Sequence, residues 1–148
     1  MIDYTLAAES ICTTASMMGI QTNLKGNMES HDDFNIEDDV IVIIGIIADK
    51  KYNVAYSMEK KTAQRIAGAM MGIESYDMDE IGRSAIGELI NMISGNIASS
   101  FSSDEFDITL PTVIVGNHIS CVMQSFESNQ LIFETQFGPL NVNFALEG

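Results

Sequence analysis

Positive charge is scarce in this sequence: Lys and Arg number 7 against 21 Asp and Glu, a formal charge of -14. A nucleic-acid backbone or an anionic lipid surface would be repelled by such a chain, so neither is an expected partner. Cysteine is nearly absent. Cys12 and Cys121 lie far apart and form no CxxC or Cys/His ligand spacing, which excludes a disulfide framework and a zinc site and leaves two buried, reduced thiols. Long apolar runs are missing as well. The longest, Val40 to Ala48, has nine residues, against roughly 20 needed to cross a bilayer, and it reads as a buried strand. The first residues, MIDYTLAAES, have no basic start followed by an apolar stretch, so a cytoplasmic location is expected. No GxSxG, phosphate-binding loop or paired catalytic carboxylates occur, and the two histidines stand in unlike contexts; a hydrolase carrying its own base has little support. His31 and its acidic neighbours read as a solvated loop in preference to a cation site.

What remains is enough for a folded core. A chain of 148 residues with a hydrophobic share of 46% fits one domain spanning residues 1–148. Apolar residues at helical spacing from Tyr4 to Met18, stopped by Gly19, predict a first helix. Gln21 to Asp39 is polar and ends in HDDFNIEDD, predicting a loose strand and a loop. VIVIIGIIA and YNVAYS flank Asp49 to Lys51 and predict a hairpin whose first strand is buried on both faces. A second helix is expected from about Met58 to Gly72, with Thr62, Ile66, Ala69 and Met70 facing inward. A third, capped by Asp77 or Asp79, is expected to reach about Phe101. Four alternating segments follow, with turns expected at Gly116-Asn117, Ser128-Asn129 and Gly138-Pro139. The sum is an α+β fold: about three helices on one face of a mostly antiparallel sheet of about six strands.

The third helix carries the chemistry. At about 100° per residue, Ile81, Ala85, Ile86, Leu89, Ile90, Met92, Ile93 and Ile97 fall on one half, which is expected to face the core. The other half collects Arg83, Ser84, Gly87, Glu88, Asn91, Ser94, Gly95 and Ala98, so Glu88 and Asn91 stand one turn apart among small neighbours. Each of Gly82, Gly87 and Gly95 costs about 1 kcal/mol relative to alanine unless something compensates. For Gly87 and Gly95 the expected compensation is close approach by another macromolecule, and for Gly82 it is packing on the sheet. Asn91, a poor helix former, interrupts an apolar run. Asn96 falls among apolar residues and is expected to satisfy a buried backbone group. A Glu and an Asn three apart on an exposed helix are, taken alone, ordinary solvated surface.

The segment DEIGRSAIGELINMISGNIASSF followed by DITLPTVIVG resembles the CheX and CheC family of chemotaxis phosphatases, whose helix bears a Glu-x-x-Asn motif followed by a strand that begins near a proline. The resemblance covers the central third closely and extends back through AQRIAGAMMG. Ser84 matches the leading Asp or Ser of the motif, Glu88 its glutamate, Asn91 its asparagine and Pro111 its proline. CheC proteins carry the element twice. Here Glu9 is followed three residues on by Cys12, and Glu59 by Thr62, so the single copy is more similar to CheX.

The resemblance implies a CheC/CheX-like fold, a homodimer joined through its β structure, and a substrate: a CheY-like response regulator phosphorylated on aspartate. It further implies that Asn91 orients the attacking water and that Glu88 pairs with the regulator's active-site lysine. Mg2+ would belong to the regulator, and this chain would bring no cofactor or metal of its own. The competing expectation is a non-catalytic module of the same fold that docks a regulator or a flagellar-switch component.

Overall fold

The computed structural model of the chain describes residues 2–31, 33–101 and 105–147. The order of elements is α1 (Tyr4–Met17), β1 (Thr22–Ser30), β2 (Phe34–Ile47), β3 (Lys51–Met58), α2 (Lys60–Met71), α3 (Glu80–Asn96), a short 3-10 helix (Ile97–Ser100), β4 (Asp107–Ile108), β5 (Thr112–Met123), β6 (Glu127–Thr135) and β7 (Gly138–Leu146). All strand pairs are antiparallel. They form one seven-stranded sheet in the order β1-β6-β7-β3-β2-β4, with β5 also paired to β2. The α+β expectation holds, with one strand more than expected.

Strand alternation builds the core. Val40, Val42, Ile44 and Ile46 of β2, Val54 and Tyr56 of β3 and Val142 and Phe144 of β7 join Ile11 of α1, Ile66 of α2 and Ile86, Ile90 and Ile93 of α3 in one buried cluster. A smaller cluster of Ile36, Ile41, Ala55, Met123 and Ala145 occupies the other face. Val40, Ile41 and Val42 are fully buried, as a strand covered on both faces requires. Helix α1 ends as its glycine predicts: Gly19 has φ 80, and the Ile20 N–H donates back to the Ala15 carbonyl at 2.9 Å, closing the last turn.

Several local expectations are corrected. The acidic stretch is not a loop: residues 34–39 open β2, and Asn35, Ile36 and Glu37 pair with Val122, Cys121 and Ser120 of β5. Partnering by a neighbouring strand outweighs its polar composition. Asp32, within that stretch, lies outside the described residues. Gly116-Asn117 is no turn either. β5 runs through it with a register shift opposite Asp38/Val40, and His118 adopts φ 51, a bulge in place of a reversal. Asp39 holds this bulge by accepting from the His118 N–H at 3.1 Å and the Lys60 N–H at 3.0 Å. Those donors keep its carboxyl below the usual range, and by accepting the Lys60 N–H the carboxylate caps α2 from outside the helix.

Ser128 and Asn129 are buried within β6, paired on both sides to β1 and β7, so the reversal falls just before them. Gly138-Pro139 opens β7, and Gly138 (φ 128) pairs with Thr135 across a two-residue turn. In α2 the buried set is Thr62, Ala63, Ile66, Ala67 and Gly68, rotated from the expected face because its small residues sit closest to neighbouring structure. Gly72 ends it with φ 74.

Candidate functional site

Helix α3 is fixed at its start by two devices. Asp79 accepts from the Gly82 N–H at 3.0 Å, a side-chain cap on an otherwise orphan donor. A methyl group on Gly82 would overlap the Asp77 carbonyl oxygen, so this glycine admits the preceding loop and does not pack on the sheet as expected. Ile86, Leu89, Ile90 and Ile93 then bury the inner face, and α3 lies against both α1 and α2. Ile81 departs from the wheel: it is 59% exposed.

The outer stripe splits in two. Ser94 is fully buried, its hydroxyl 2.9 Å from the Tyr56 hydroxyl, and burial pushes that tyrosine far above its ordinary range. Asn96 is exposed; its amide donates to Thr14 Oγ1 of α1 at 3.1 Å. Its role is structural, as expected, but through a side chain on a neighbouring helix. Glu88 and Asn91 are different. Both are exposed, and among the described residues neither side chain has a hydrogen bond or an ion-pair partner.

They line an open groove together with Arg83, Ser84, Leu110 and Pro111. The far wall is the start of β5. A Cβ on Gly87 would sit 3.4 Å from Val113 Cγ2 and 3.7 Å from Pro111 Cγ. Both are ordinary van der Waals distances, so β5 packs beside α3 at Gly87 without requiring a glycine there. Gly95 has nothing within 4 Å of such a Cβ, an open surface on the same helix. Arg83 donates to the Met78 carbonyl at 3.4 Å, and among the described residues the carboxylate of Glu88 has no ion-pair partner.

Sequence reasoning thus brought Glu88, Asn91, Ser84 and Pro111 to one place, and it missed Leu110 and Val113, which form the groove's apolar wall. A leucine directly before the motif proline was the available signal. Among the described residues no group of His, Cys, Asp and Glu could hold a metal ion, and no helix is long and apolar enough to cross a membrane.

Residues 40–134 match the family described as chemotaxis phosphatase CheX. The CheY-P phosphatase CheX of Thermotoga maritima is 34% identical over 111 residues, 72% of this chain and 70% of that protein. The chain belongs to the CheX family. The matched region holds α3 and the whole groove, so the CheX family assignment rests on the segment that bears Glu88, Asn91 and Pro111. A crystal structure of a CheX chemotaxis protein from Desulfovibrio desulfuricans superimposes with a TM-score of 0.86 at 25% identity, covering 97% of each chain. A CheX–CheY–BeF3–Mg complex from Borrelia burgdorferi shares the fold at a TM-score of 0.64 and 20% identity over the whole of both chains. FliY of Thermotoga maritima does so at 0.69 and 21%, covering 94% of this chain and 84% of that one.

Proposed function

We propose that this protein hydrolyses the aspartyl phosphate of a CheY-type response regulator, with Asn91 as its catalytic residue and Glu88 as the residue that fixes the docking. The observation carrying this reading is the pair itself: a carboxylate and a carboxamide one turn apart, exposed in a groove, without partners among the described residues of their own chain. Asn96 and Ser94 on the same helix are both satisfied internally, so the free pair is not explained by the packing of α3.

An acyl phosphate is already activated. Its hydrolysis needs an in-line water and neutralised equatorial charge, which are demands of position. The Asn91 carboxamide oxygen accepts a hydrogen bond from the attacking water and holds it opposite the leaving aspartyl oxygen. Glu88, without an ion-pair partner among the described residues, pairs with the regulator's active-site lysine; a charge-assisted contact formed on docking sets the depth at which Asn91 enters. Mg2+ belongs to the regulator in this scheme, and the phosphatase contributes no cofactor. We infer further that the unit works in the cytoplasm as a homodimer joined through its β structure, which sedimentation of the purified protein tests.

The deciding experiment follows the lifetime of a phosphorylated CheY-type regulator with and without the protein. A lifetime shortened at catalytic amounts is the expected result. Stoichiometric binding with an unchanged lifetime identifies a docking module instead and overturns the phosphatase reading. Glu88→Ala should weaken docking and turnover together, by about tenfold or more, as expected for loss of a buried charge pair.

A further inference from the structure

We propose that Leu110 is a positioning residue that docks on the phosphorylated receiver domain. The inference rests on the reading of the groove as the receiver's docking site, and it adds a contact that the Glu-x-x-Asn pair does not supply. Leu110 is 87% exposed, the most exposed of the large apolar side chains among the described residues. Scattered apolar residues on a surface need no explanation. This one is held out in the solvent by built contacts on both sides.

On one side, Thr109 is clipped to β2. Its N–H donates to the Gly45 carbonyl at 2.9 Å, and its hydroxyl accepts from the Gly45 N–H at 2.8 Å. Gly45 makes room for this clip, since a Cβ there would lie 3.0 Å from Thr109 Cγ2. On the other side, Pro111 has a fixed φ and stands over Gly87. Leu110 thus sits between a residue hydrogen-bonded to β2 and a proline packed beside α3, which limits backbone shifts that would fold its side chain onto the protein. It faces the same groove as Glu88 and Asn91.

A receiver domain that fills the groove over Glu88 and Asn91 meets Leu110 as well, since all three line it. The contact it fits is an apolar side chain bordering the acyl-phosphate pocket of the receiver. Such a contact contributes non-polar burial and shields the polar pair beside it from water, the arrangement of an interface in which a few central residues carry the affinity. Leu110 touches no reacting atom, so its loss raises KM and leaves kcat nearly unchanged.

The test titrates CheY-type regulators of the source organism, loaded with beryllofluoride and Mg2+, with the wild-type protein, Leu110→Ser and Leu110→Met. Dephosphorylation kinetics and thermal unfolding are measured on the same preparations. Leu110→Ser should raise Kd and KM about tenfold or more, with kcat and Tm unchanged, and Leu110→Met should stay within about threefold of wild type because it restores the apolar volume. Wild-type affinity in Leu110→Ser overturns the inference whatever the hydrolysis shows, and leaves the phosphatase reading standing if the lifetime is still shortened. Weakened binding by Leu110→Ser with no hydrolysis by wild type supports the docking role and overturns the phosphatase reading. No binding by wild type overturns both. A changed oligomeric state with unchanged regulator affinity assigns Leu110 to self-association and overturns the inference.

Discussion

Two asparagines on one helix, five residues apart, have opposite situations. Asn96 spends its amide on Thr14 of α1 and so ties two helices of the same chain. Asn91 is exposed, with no such partner among the described residues, beside a carboxylate in the same condition. Ser94 and Ser84 repeat the contrast: the first is sealed against Tyr56, the second lies in the groove. Ser94 and Asn96 are engaged by the chain's own residues, while Glu88 and Asn91, on the same face as Ser94, are exposed. Position on the helical wheel does not separate the two pairs, because Ser94 falls on the same side as Glu88 and Asn91. Internal partners do.

The contrast can be broken in order of expected effect. Asn91→Ala should lower phosphatase turnover by about a hundredfold or more, about 3 kcal/mol of transition-state stabilisation, while steady-state assays of Asn96→Ala stay within about twofold of wild type. A comparable loss in both variants would erase the distinction. Gly82→Ala should destabilise the fold by about 1–3 kcal/mol, since the new methyl overlaps the Asp77 carbonyl and the loop must shift; denaturant titration reads this as a lower midpoint. Ser94→Ala should cost about 1–2 kcal/mol by stranding the buried Tyr56 hydroxyl, with activity per folded molecule retained. Asn96→Ala should cost about 0.5–1 kcal/mol, the worth of one partly exposed hydrogen bond, and a larger loss would mean that it bridges more than Thr14.

Those contrasts also show where sequence reading stops. The β2–β3 hairpin, the glycines that end α1 and α2, and a cap for α3 at Asp77 or Asp79, of which Asp79 is the one, were legible because periodicity and turn chemistry act locally. The opening of β2 was not. Asn35, Glu37 and Asp38 carry little strand preference, and it is pairing with β5 that makes them a strand. Gly116-Asn117 and Ser128-Asn129 looked like turns for the same reason reversed: both dipeptides favour reversals, yet the strands beside them absorb one as a bulge and the other as regular ladder. At the site, Glu88, Asn91 and Pro111 were found from one motif. The clip between Thr109 and Gly45 was not, since it joins residues 64 positions apart and neither type marks the other. The reason for Gly87 was not legible either: β5 lies beside it at ordinary van der Waals distance, which an alanine would also allow.

The most direct measurement is single-turnover decay of the phosphorylated regulator when saturated with Asn91→Ala, at concentrations where binding is verified independently. A regulator that is bound yet decays about as slowly as it does alone is the predicted result. Decay at the wild-type rate in that complex would contradict the assignment of the water-orienting role to Asn91.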